Sequence, residues 1–401
     1  MSKSFVSREV MNKFDSLVSV YPAIALVGAR QAGKTTLLKE YSKTKNAGYL
    51  LFNDLDIRRL FEEDVKKFEK QYLEGYDYSI LDEVHYCKNA GNNIKYLVDS
   101  GKKLWITSSS ELILSREVLS YLVGRVTIIK LYPFSLKEFF NAKNFKEGVK
   151  QATERNVWEH LTYGGYPRVV LSEGMELKKN ILSDLYQTMI LKDVTNNFSI
   201  RDSESLELLT KYLSINIGNL LVYETITKNL GIRAKTIKKY LSALEKSYFI
   251  MKVRPYCNNK NKEIIKQPKI YFVDTGMRNL VAKSFNDTPE GKTFENYIAA
   301  ELVKGGHELK YWRTKSGAEV DFVIEKDKEL LPIEVKVTNP NNVGKGLRSF
   351  IETYKPRKAV IVHYEGEEKI VSVGNCKVYH TDILGLKKLL SDNSKKDSLG
   401  L

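Results

Sequence analysis

A glycine-rich loop near the N-terminus has the residue spacing of a phosphate-binding loop. Residues 28–36 read GARQAGKTT. The fixed positions of the pattern G-x-x-x-x-G-K-[ST] are Gly28, Gly33, Lys34 and Thr35. In such loops the backbone N–H groups turn inward around phosphates, and the N-terminus of the next helix adds a positive dipole. We therefore expect Lys34 to reach the β- and γ-phosphates of a nucleoside triphosphate, Thr35 to bind Mg²⁺, and Thr36 to complete the nucleotide site.

The flanking residues favour a nucleotide site over an ordinary glycine-containing turn. Residues 23–27, AIALV, have a buried-strand pattern, and residues 37–43, LLKEYSK, have a helical one. A strand, the loop and a helix in this order form the context in which the motif binds phosphate. At this point ATP and GTP are alternative ligands.

A second strand pattern supplies acidic residues for the same site. Residues 78–86 read YSILDEVHY, an apolar strand that ends in Asp82 and Glu83. We expect Asp82 to hold Mg²⁺ through water and Glu83 to polarise the attacking water, because phosphoryl transfer depends mainly on positioning and electrostatics. An Asp-Glu pair alone is more often a solvated strand end. Lys34 in the same chain favours the catalytic interpretation.

Two further strand patterns fit the same sheet. Residues 48–54, GYLLFND, lie between the two motifs, as in P-loop ATPases of the additional-strand type. Residues 102–110, KKLWITSSS, end in hydroxyl side chains, and we expect Ser109 to sense the γ-phosphate.

Composition places the chain among globular proteins. Its 401 residues are 42% hydrophobic and 28% charged, and this length fits two to four domains. The first residues lack an apolar signal region, and no apolar run approaches the ~18 residues that span a bilayer. Cys87, Cys257 and Cys376 have no metal or disulfide spacing. We expect a cytoplasmic protein with no membrane partner.

Four regions follow one another along the chain. Residues 1–145 alternate strand and helix patterns, which predicts a parallel sheet covered by helices. Residues 146–205 are helical, as expected of a lid. Residues 206–280 combine short helices with an alternating stretch, and residues 285–390 return to mixed helix and strand.

The third region has the pattern of a winged helix-turn-helix. Residues 222–250 place a short helix, a turn and a longer helix. The longer helix carries a basic stripe available to phosphates, formed by Lys235, Lys239 and Lys246 together with Ser242. Residues 251–256 and 264–273, joined by a basic turn, would form the wing. A winged helix can also act as a spacer between domains.

Positive charge is concentrated in this region. The chain has 64 Lys and Arg against 49 Asp and Glu, a net charge of +15. Residues 223–270 hold twelve of these basic residues and three glutamates. A basic cluster in one segment indicates a polyanionic partner, most simply DNA, although a solvated lysine-rich surface has the same composition. We expect DNA contact through Lys235, Lys239, Lys246 and the basic wing.

A second constellation lies near the C-terminus. Residues 294–304 form a helical pattern that presents Glu295, while residues 317–325 and 330–338 alternate as strands. The alternation places acidic residues and one lysine on one side of the strand pair, namely Glu319, Asp321, Glu334 and Lys336. Clustered carboxylates suit Mg²⁺ or Mn²⁺, so Glu295, Asp321 and Glu334 are candidate metal ligands. Lys336 would orient a nucleophile or offset developing charge.

Two amphipathic strands with polar outer faces would explain these residues equally well in isolation. The order of the elements favours a nuclease-like site over two ordinary amphipathic strands. This order is helix, strand, strand, strand, helix, strand. It is the αβββαβ order of the PD-(D/E)XK nuclease core, and Asp321, Glu334 and Lys336 resemble its D…E-x-K motif. We expect this fold, with metal-dependent cleavage as one open possibility.

Taken in series, the motifs resemble one prokaryotic family, the AAA-type P-loop ATPases with a C-terminal domain of unknown function similar to PD-(D/E)XK nucleases. The motifs are GARQAGKTT, SILDEVH, ITSSS, LVGRVTIIKLYPFSLKEF, YGGYP, FVDTGMRNL, FEN and AEVDFVI…IEVK. The resemblance implies an AAA+ P-loop ATPase domain with a parallel sheet of the additional-strand type, a helical lid, a winged helix-turn-helix and the nuclease-like domain. It also implies ATP as the ligand, and a homo-oligomer in which Arg125 completes the neighbouring subunit's site. Ser108 and His85 depart from the family's usual Gly and Gln.

Three functional hypotheses follow. The first is an ATP-dependent DNA-processing enzyme, which the intact Asp321, Glu334 and Lys336 favour. The second is a regulatory NTPase switch whose C-terminal domain only binds nucleic acid or a protein partner. The third is a helicase, suggested by the DExH-like DEVH sequence, but it requires a second RecA-like domain that residues 150–400 do not offer.

Overall fold

Two β-sheets organise the described part of the chain, which covers residues 5–108, 121–195, 198–257 and 260–395 of this computed structural model. In chain order the strands are β1 (Ala23–Gly28), β2 (Ala47–Leu51), β3 (Tyr78–Asp82), β4 (Leu104–Ser108), β5 (Val126–Leu131), β6 (Ile250–Pro255), β7 (Lys269–Phe272), β8 (Lys310–Arg313), β9 (Glu319–Lys326), β10 (Glu329–Thr338), β11 (Lys358–Glu365), β12 (Lys369–Val373) and β13 (Cys376–Thr381).

Helices fill the intervals between the strands. In chain order they are α1 (Met11–Val18), α2 (Lys34–Ser42), α3 (Leu55–Glu63), α4 (Val65–Phe68), α5 (Ala90–Asp99), α6 (Leu136–Ala142), α7 (Lys150–Tyr163), α8 (Pro167–Val170), α9 (Met175–Gln187), α10 (Ser203–Ile215), α11 (Tyr223–Leu230), α12 (Ala234–Lys246), α13 (Lys260–Ile265), α14 (Thr275–Ala282), α15 (Gly291–Lys304), α16 (Lys345–Tyr354) and α17 (Ile383–Lys395). Two π-helical segments, Glu69–Leu73 and Thr188–Val194, and a 3₁₀ turn, Val84–Tyr86, complete the regular structure. Within the described residues, no helix combines the length and apolar character needed to cross a membrane.

Each sheet belongs to its own compact unit. The first unit consists of Met1–Asn156, Tyr163–Leu206 and Lys238–Phe249. The second consists of Val157–Thr162, Glu207–Ile237 and Ile250–Leu401.

The first unit is built on a five-stranded parallel sheet with the order β2-β3-β4-β1-β5. Every residue of β1 is buried, as expected for a central parallel strand covered on both faces. Because β4 lies between β1 and β3, the prediction of a parallel sheet of the additional-strand type is confirmed. The C-terminal ends of parallel strands share one edge of the sheet, and this edge carries Gly28 on β1 and Asp82 on β3.

An aromatic cluster packs one face of this sheet. Trp105 of β4 is 1% exposed, and its ring lies 5.4 Å from Phe14, 5.3 Å from Tyr41 and 4.7 Å from Tyr78, measured between ring centroids. Phe14 belongs to α1 and Tyr41 to α2, so this one indole ring joins two helices to the sheet. Burial of such a large apolar surface stabilises the unit that carries the phosphate-binding loop.

The second unit is built on an eight-stranded mixed sheet with the order β12-β13-β11-β10-β9-β8-β6-β7. Its elements from α15 to β11 follow the predicted order helix, strand, strand, strand, helix, strand. The strands β8, β9 and β10 pair antiparallel in sequence, while β10 and β11 pair parallel around α16. In α15 every residue from Thr293 to Leu302 is buried, which marks it as a central helix of the unit.

The two strands that we expected to form the wing lie at one end of this eight-stranded sheet. β6 pairs antiparallel with β7 along one edge and parallel with β8 along the other. The second strand begins at Lys269 instead of residue 264, because α13 occupies part of the connection. The side chain of Glu263 in α13 accepts a hydrogen bond from the Cys257 N–H at 3.1 Å. The two predicted strands therefore do pair with each other, and β6 also joins them to the C-terminal sheet. Their role as the wing of a winged helix-turn-helix stays a prediction.

Replacing Trp105 with alanine should destabilise the first unit by about 3–5 kcal/mol, because it leaves a cavity between α1, α2 and the sheet. Urea unfolding followed by circular dichroism measures the effect. Trp158→Ala is a matched control, since Trp158 is only half-buried in the second unit. Equal losses for the two variants would contradict the assigned role of Trp105.

Candidate functional site

The phosphate-binding loop begins where β1 ends, and its backbone conformation requires glycine. Gly28 has a φ of +153°, and an ideal Cβ there would lie 1.9 Å from the carbonyl oxygen of Leu131 on β5. Gly33, with a φ of +99°, directly precedes the first residue of α2. Both predicted glycines therefore occupy positions that other residues could take only with strain or a clash. The loop delivers the N-terminus of α2 to the C-terminal edge of the sheet.

Lys34 lies inside this loop. Its side chain is 6% exposed, and its Nζ donates hydrogen bonds to the carbonyl oxygens of Gly28 and Ala29 at 3.0 Å each. The ammonium is thus held against the loop backbone, and its contact with nucleotide phosphates stays a prediction. Thr36, in the first turn of α2, is exposed.

Hydroxyl groups from three elements converge on the carboxylate of Asp82, which is 2% exposed. Thr35 of α2 donates to Asp82 Oδ2 at 2.9 Å, and Tyr49 of β2 donates to the same oxygen at 2.5 Å. Thr107 of β4 donates a hydrogen bond to Asp82 Oδ1. Burial and the bond to Asp82 raise the pKa of the Tyr49 phenol, so Tyr49 stays a donor at neutral pH. The predicted pair of Mg²⁺-binding residues, Thr35 and Asp82, is therefore in direct contact.

Glu83 follows Asp82 in a left-handed backbone conformation, with a φ of +59°. A non-glycine residue in this region stores strain, which is common at functional sites. The Glu83 N–H donates to the Thr107 hydroxyl at 3.0 Å, so Thr107 connects the Asp82 carboxylate to the Glu83 backbone. Sequence reasoning overlooked Thr107 and assigned γ-phosphate sensing to Ser109. Ser109 lies outside the described residues.

A second residue that sequence reasoning overlooked is Arg8, which is 6% exposed. Its guanidinium donates to the Ala32 carbonyl oxygen of the loop and to the Tyr132 carbonyl oxygen, at 2.7 Å each. Its Nε forms an ion pair with Glu138 at 2.9 Å. Arg8 thereby holds the loop backbone to the segment after β5. A single arginine far upstream of the motif carries no local pattern that identifies this contact.

Arg125 lies at the opposite edge of the first sheet. The register pairs Ala23 with Val126 at the start of β1 and β5, whereas the loop begins at Gly28. Arg125 Nε pairs with Asp99 Oδ1 at 2.8 Å, and both side chains are exposed. Its own phosphate-binding loop is about 16 Å away along β1, from the rise per strand residue. The role of Arg125 in a neighbouring subunit stays a prediction.

The second unit brings the predicted acidic residues into one cluster. Val335 N–H donates to Asp321 Oδ2 at 2.9 Å, and Lys336 Nζ pairs with Glu334 Oε1 at 2.9 Å. Glu295, on α15, is buried and accepts a hydrogen bond from the Tyr271 hydroxyl at 2.6 Å. Burial, reinforced by the charge of Glu295, raises the pKa of Asp321 to about 6.

Lys269 lies within this cluster and was not predicted. It is 1% exposed, and its Nζ lies 2.5 Å from Glu319 Oε1 and 3.5 Å from Glu295 Oε1. Burial lowers the pKa of Lys269, but the charges of Glu295, Asp321 and Glu319 outweigh burial and raise it overall. Alternation along β7 places Lys269 and Tyr271 on one face, and this pattern could have revealed the contact from sequence.

The predicted metal ligands of the second unit already have hydrogen-bond donors within the protein. Among the described residues, no group of three or more His, Cys, Asp or Glu side chains is arranged to hold a metal ion. Both oxygens of Glu295 already have donors, since Lys292 Nζ lies 2.8 Å from Oε2. A divalent cation at Glu295, Asp321 and Glu334 would therefore compete with these donors, and metal binding there stays a prediction.

Family models match three successive segments of the chain. Residues 20–140 match an AAA domain, residues 154–288 match a domain of unknown function (DUF8612), and residues 290–383 match another (DUF4143). An uncharacterized protein of Haemophilus influenzae is 27% identical over 398 residues, covering 92% of this chain and 96% of that protein. An uncharacterized protein of Methanocaldococcus jannaschii is 26% identical over 371 residues, covering 86% of this chain and 83% of that protein.

Among solved structures, the Walker-type ATPase PABY2304 of Pyrococcus abyssi is similar with a TM-score of 0.49 and 14% identity, covering 70% of this chain and 97% of that one. The AAA-domain match covers the part of the chain that carries the five-stranded parallel sheet and the phosphate-binding loop. The match to a C-terminal domain of unknown function covers α15 to β13.

Removing the Thr107 hydroxyl should impair hydrolysis more than nucleotide binding. Thr107→Val deletes a donor to Asp82 and leaves the Glu83 N–H without its acceptor, so we expect kcat to fall by about ten-fold or more, the effect of one hydrogen bond. Tyr49→Phe is the matched control, because it deletes another Asp82 donor without touching the Glu83 backbone, and its kcat should change less. Steady-state ATPase rates, together with measured ATP affinities, show which variant loses more kcat. A larger loss of kcat in Tyr49→Phe than in Thr107→Val would contradict the role assigned to Thr107.

Proposed function

We propose that this protein binds ATP with Mg²⁺ at residues 28–36 and hydrolyses it while acting on or with DNA. The observation that carries the proposal is the contact of Thr35 with Asp82 beside the loop-bound Lys34. A hydroxyl and a carboxylate at this distance are the ligands that a Mg²⁺-nucleotide complex requires in P-loop enzymes. Bound Mg²⁺ would neutralise developing phosphate charge.

The residues of the site have separate roles in this proposal. Gly28, Gly33 and Lys34 bind phosphate oxygens, while Thr35 and Asp82 hold the Mg²⁺. Glu83 orients and polarises the attacking water, and the Thr107 hydroxyl fixes the Glu83 backbone relative to Asp82. The AAA-domain match supports ATP over GTP as the nucleotide.

Oligomerisation is part of the proposal through Arg125. An arginine finger supplied by a neighbouring subunit stabilises charge in phosphoryl transfer. Arg125 is exposed and distant from its own loop, which is compatible with a role in a neighbouring subunit's site. In its own chain it pairs with Asp99, and this ion pair would have to open for Arg125 to reach a neighbour.

Lys34→Ala should abolish ATP binding, because it removes the ammonium that faces the phosphates. Glu83→Gln is the matched control, since it keeps the loop intact and should bind ATP while losing hydrolysis by at least 100-fold, in the range of general-base contributions. Fluorescent-nucleotide binding and phosphate release measure the two properties. Tight ATP binding by Lys34→Ala would refute the site assignment.

DNA as the partner is supported by the charge of residues 223–270. On α12, Lys235 and Lys239 are exposed and Lys246 is half-buried. Lys239 Nζ donates to the carbonyl oxygen of Ser199 at 3.0 Å, which fixes its position without neutralising its charge. Exposed ammonium groups on one helix suit phosphate contacts that are independent of sequence.

Replacing Lys235, Lys239 and Lys246 together with alanine should weaken DNA binding and reduce its salt dependence, because fewer counterions are released. The matched control removes three exposed lysines from the first unit, Lys66, Lys67 and Lys70, and should bind DNA as the wild type does. Fluorescence anisotropy with duplex DNA at several salt concentrations measures both. Equal affinity and equal salt slopes for the two triple variants would remove α12 from the interface.

For the second unit, the order of α15, β8, β9, β10, α16 and β11 supports a PD-(D/E)XK-like fold, with Asp321, Glu334 and Lys336 on adjacent strands. The metal-dependent nuclease hypothesis also needs a divalent cation at these residues. The alternative is a regulatory ATPase whose C-terminal domain only binds nucleic acid or a partner. The ion pairs of Glu295 and Glu319 with Lys269 favour this alternative.

A further inference from the structure

We infer that Lys269 occupies the cation position of the C-terminal acidic cluster, so that this cluster takes up no divalent metal and does not support metal-dependent cleavage. The C-terminal acidic cluster denotes Glu295, Glu319, Asp321 and Glu334. The inference concerns the second unit alone and does not depend on ATP hydrolysis.

The side chain of Lys269 is buried and cannot act as a surface charge. It begins β7, the edge strand of the eight-stranded sheet, yet only 1% of it is exposed. A lysine is rarely buried to this extent unless its charge is paired. The pairing is with Glu319 at 2.5 Å and Glu295 at 3.5 Å, from β9 and α15 respectively. Lys269 thus bridges carboxylates from α15 and β9, as a metal ion bound between them would.

The remaining cations complete the neutralisation of the cluster. Lys292 pairs with Glu295 at 2.8 Å and Lys336 pairs with Glu334 at 2.9 Å. Arg313 approaches the second oxygen of Glu319 at 3.5 Å. Within the described residues, Glu295, Glu319 and Glu334 therefore form ion pairs with four cations, while Asp321 accepts a hydrogen bond from the Val335 N–H. A divalent cation is drawn to a site with uncompensated negative charge, and here it would also be repelled by a buried ammonium.

The hydrogen bonds of the carboxylate oxygens in the C-terminal acidic cluster also disfavour a divalent cation. Glu295 Oε1 accepts from Tyr271 and Oε2 from Lys292, and Lys269 Nζ lies 3.5 Å from Oε1, so a metal ion at Glu295 would compete with these donors, above all with the Lys269 ammonium. Asp321 Oδ2 accepts from the Val335 N–H at 2.9 Å. Within the described residues Glu334 Oε2 is buried without a hydrogen-bond donor, and one such oxygen is too few for Mg²⁺ or Mn²⁺.

Binding of Mn²⁺ to the full-length protein tests the inference without any activity. The Lys34→Ala background, without nucleotide, removes the ATP complex, and electron paramagnetic resonance measures free Mn²⁺. We expect Asp321→Asn to leave Mn²⁺ binding unchanged when Lys269 is present. We expect Lys269→Met, which keeps the length of the side chain and removes its charge, to create a site that binds at least ten-fold more tightly and that Asp321→Asn abolishes.

Two outcomes overturn the inference. A Mn²⁺ ion bound while Lys269 is present, and lost in Asp321→Asn, would show that the cluster is a metal site. Failure of a folded Lys269→Met to gain a site would show that Lys269 is not what excludes the metal. Thermal unfolding establishes folding of each variant, and Lys269→Arg, which keeps the charge, serves as the control that must not gain Mn²⁺. If Lys269→Met does not fold, the comparison of Asp321→Asn with its parent still decides the question.

Discussion

Asp82 carries a negative charge that is almost completely removed from solvent, and hydroxyl groups from α2, β2 and β4 stabilise it. Because a buried carboxylate needs hydrogen-bond donors, the order of the strands determines which hydroxyl groups can reach Asp82. Because β4 lies between β1 and β3, the Thr107 hydroxyl can reach both Asp82 and the Glu83 backbone. Because the loop places α2 at the same sheet edge, the Thr35 hydroxyl reaches Asp82 as well. The carboxylate thus connects the loop, the sheet and the strained Glu83 backbone in one network.

The second unit stabilises buried carboxylates in a different way. Around Glu295 and Glu319 the donors are ammonium groups, above all Lys269, so the negative charge is neutralised as well as hydrogen-bonded. A buried ion pair of this kind contributes little net stability compared with apolar packing, but removing one partner leaves an unpaired buried charge. The strands β6 and β7 therefore belong to the C-terminal sheet for an electrostatic reason as well as a topological one. β7 supplies the cation that the acidic residues of α15 and β9 require.

Sequence reasoning identified the features that depend on local pattern. The strand, loop and helix around Gly28 and Lys34 follow one another within twenty residues, and so do the alternating strands that carry Asp321 and Glu334. The residues that it missed act through contacts between segments distant in the chain. Arg8 contacts Glu138, which is 130 residues away in the sequence, and the backbone of Ala32, which is 24 residues away. Contacts between such distant residues have no local sequence pattern. The pairing of β6 with β8 was not predicted for a related reason, since the pattern of a hairpin does not show whether one of its strands has another neighbour.

The two acidic sites differ in what they leave for an incoming cation. Asp82 is held by neutral hydroxyl groups, and Lys34 is bound to backbone carbonyls of Gly28 and Ala29. The negative charge of Asp82 is therefore not neutralised by these contacts, which suits a nucleotide that arrives with Mg²⁺. In the C-terminal acidic cluster the corresponding charge is already matched by Lys269 and its neighbouring cations. In our proposal, divalent-ion chemistry therefore belongs to the nucleotide site of the first unit, whereas Lys269 takes the place of a divalent cation in the second unit.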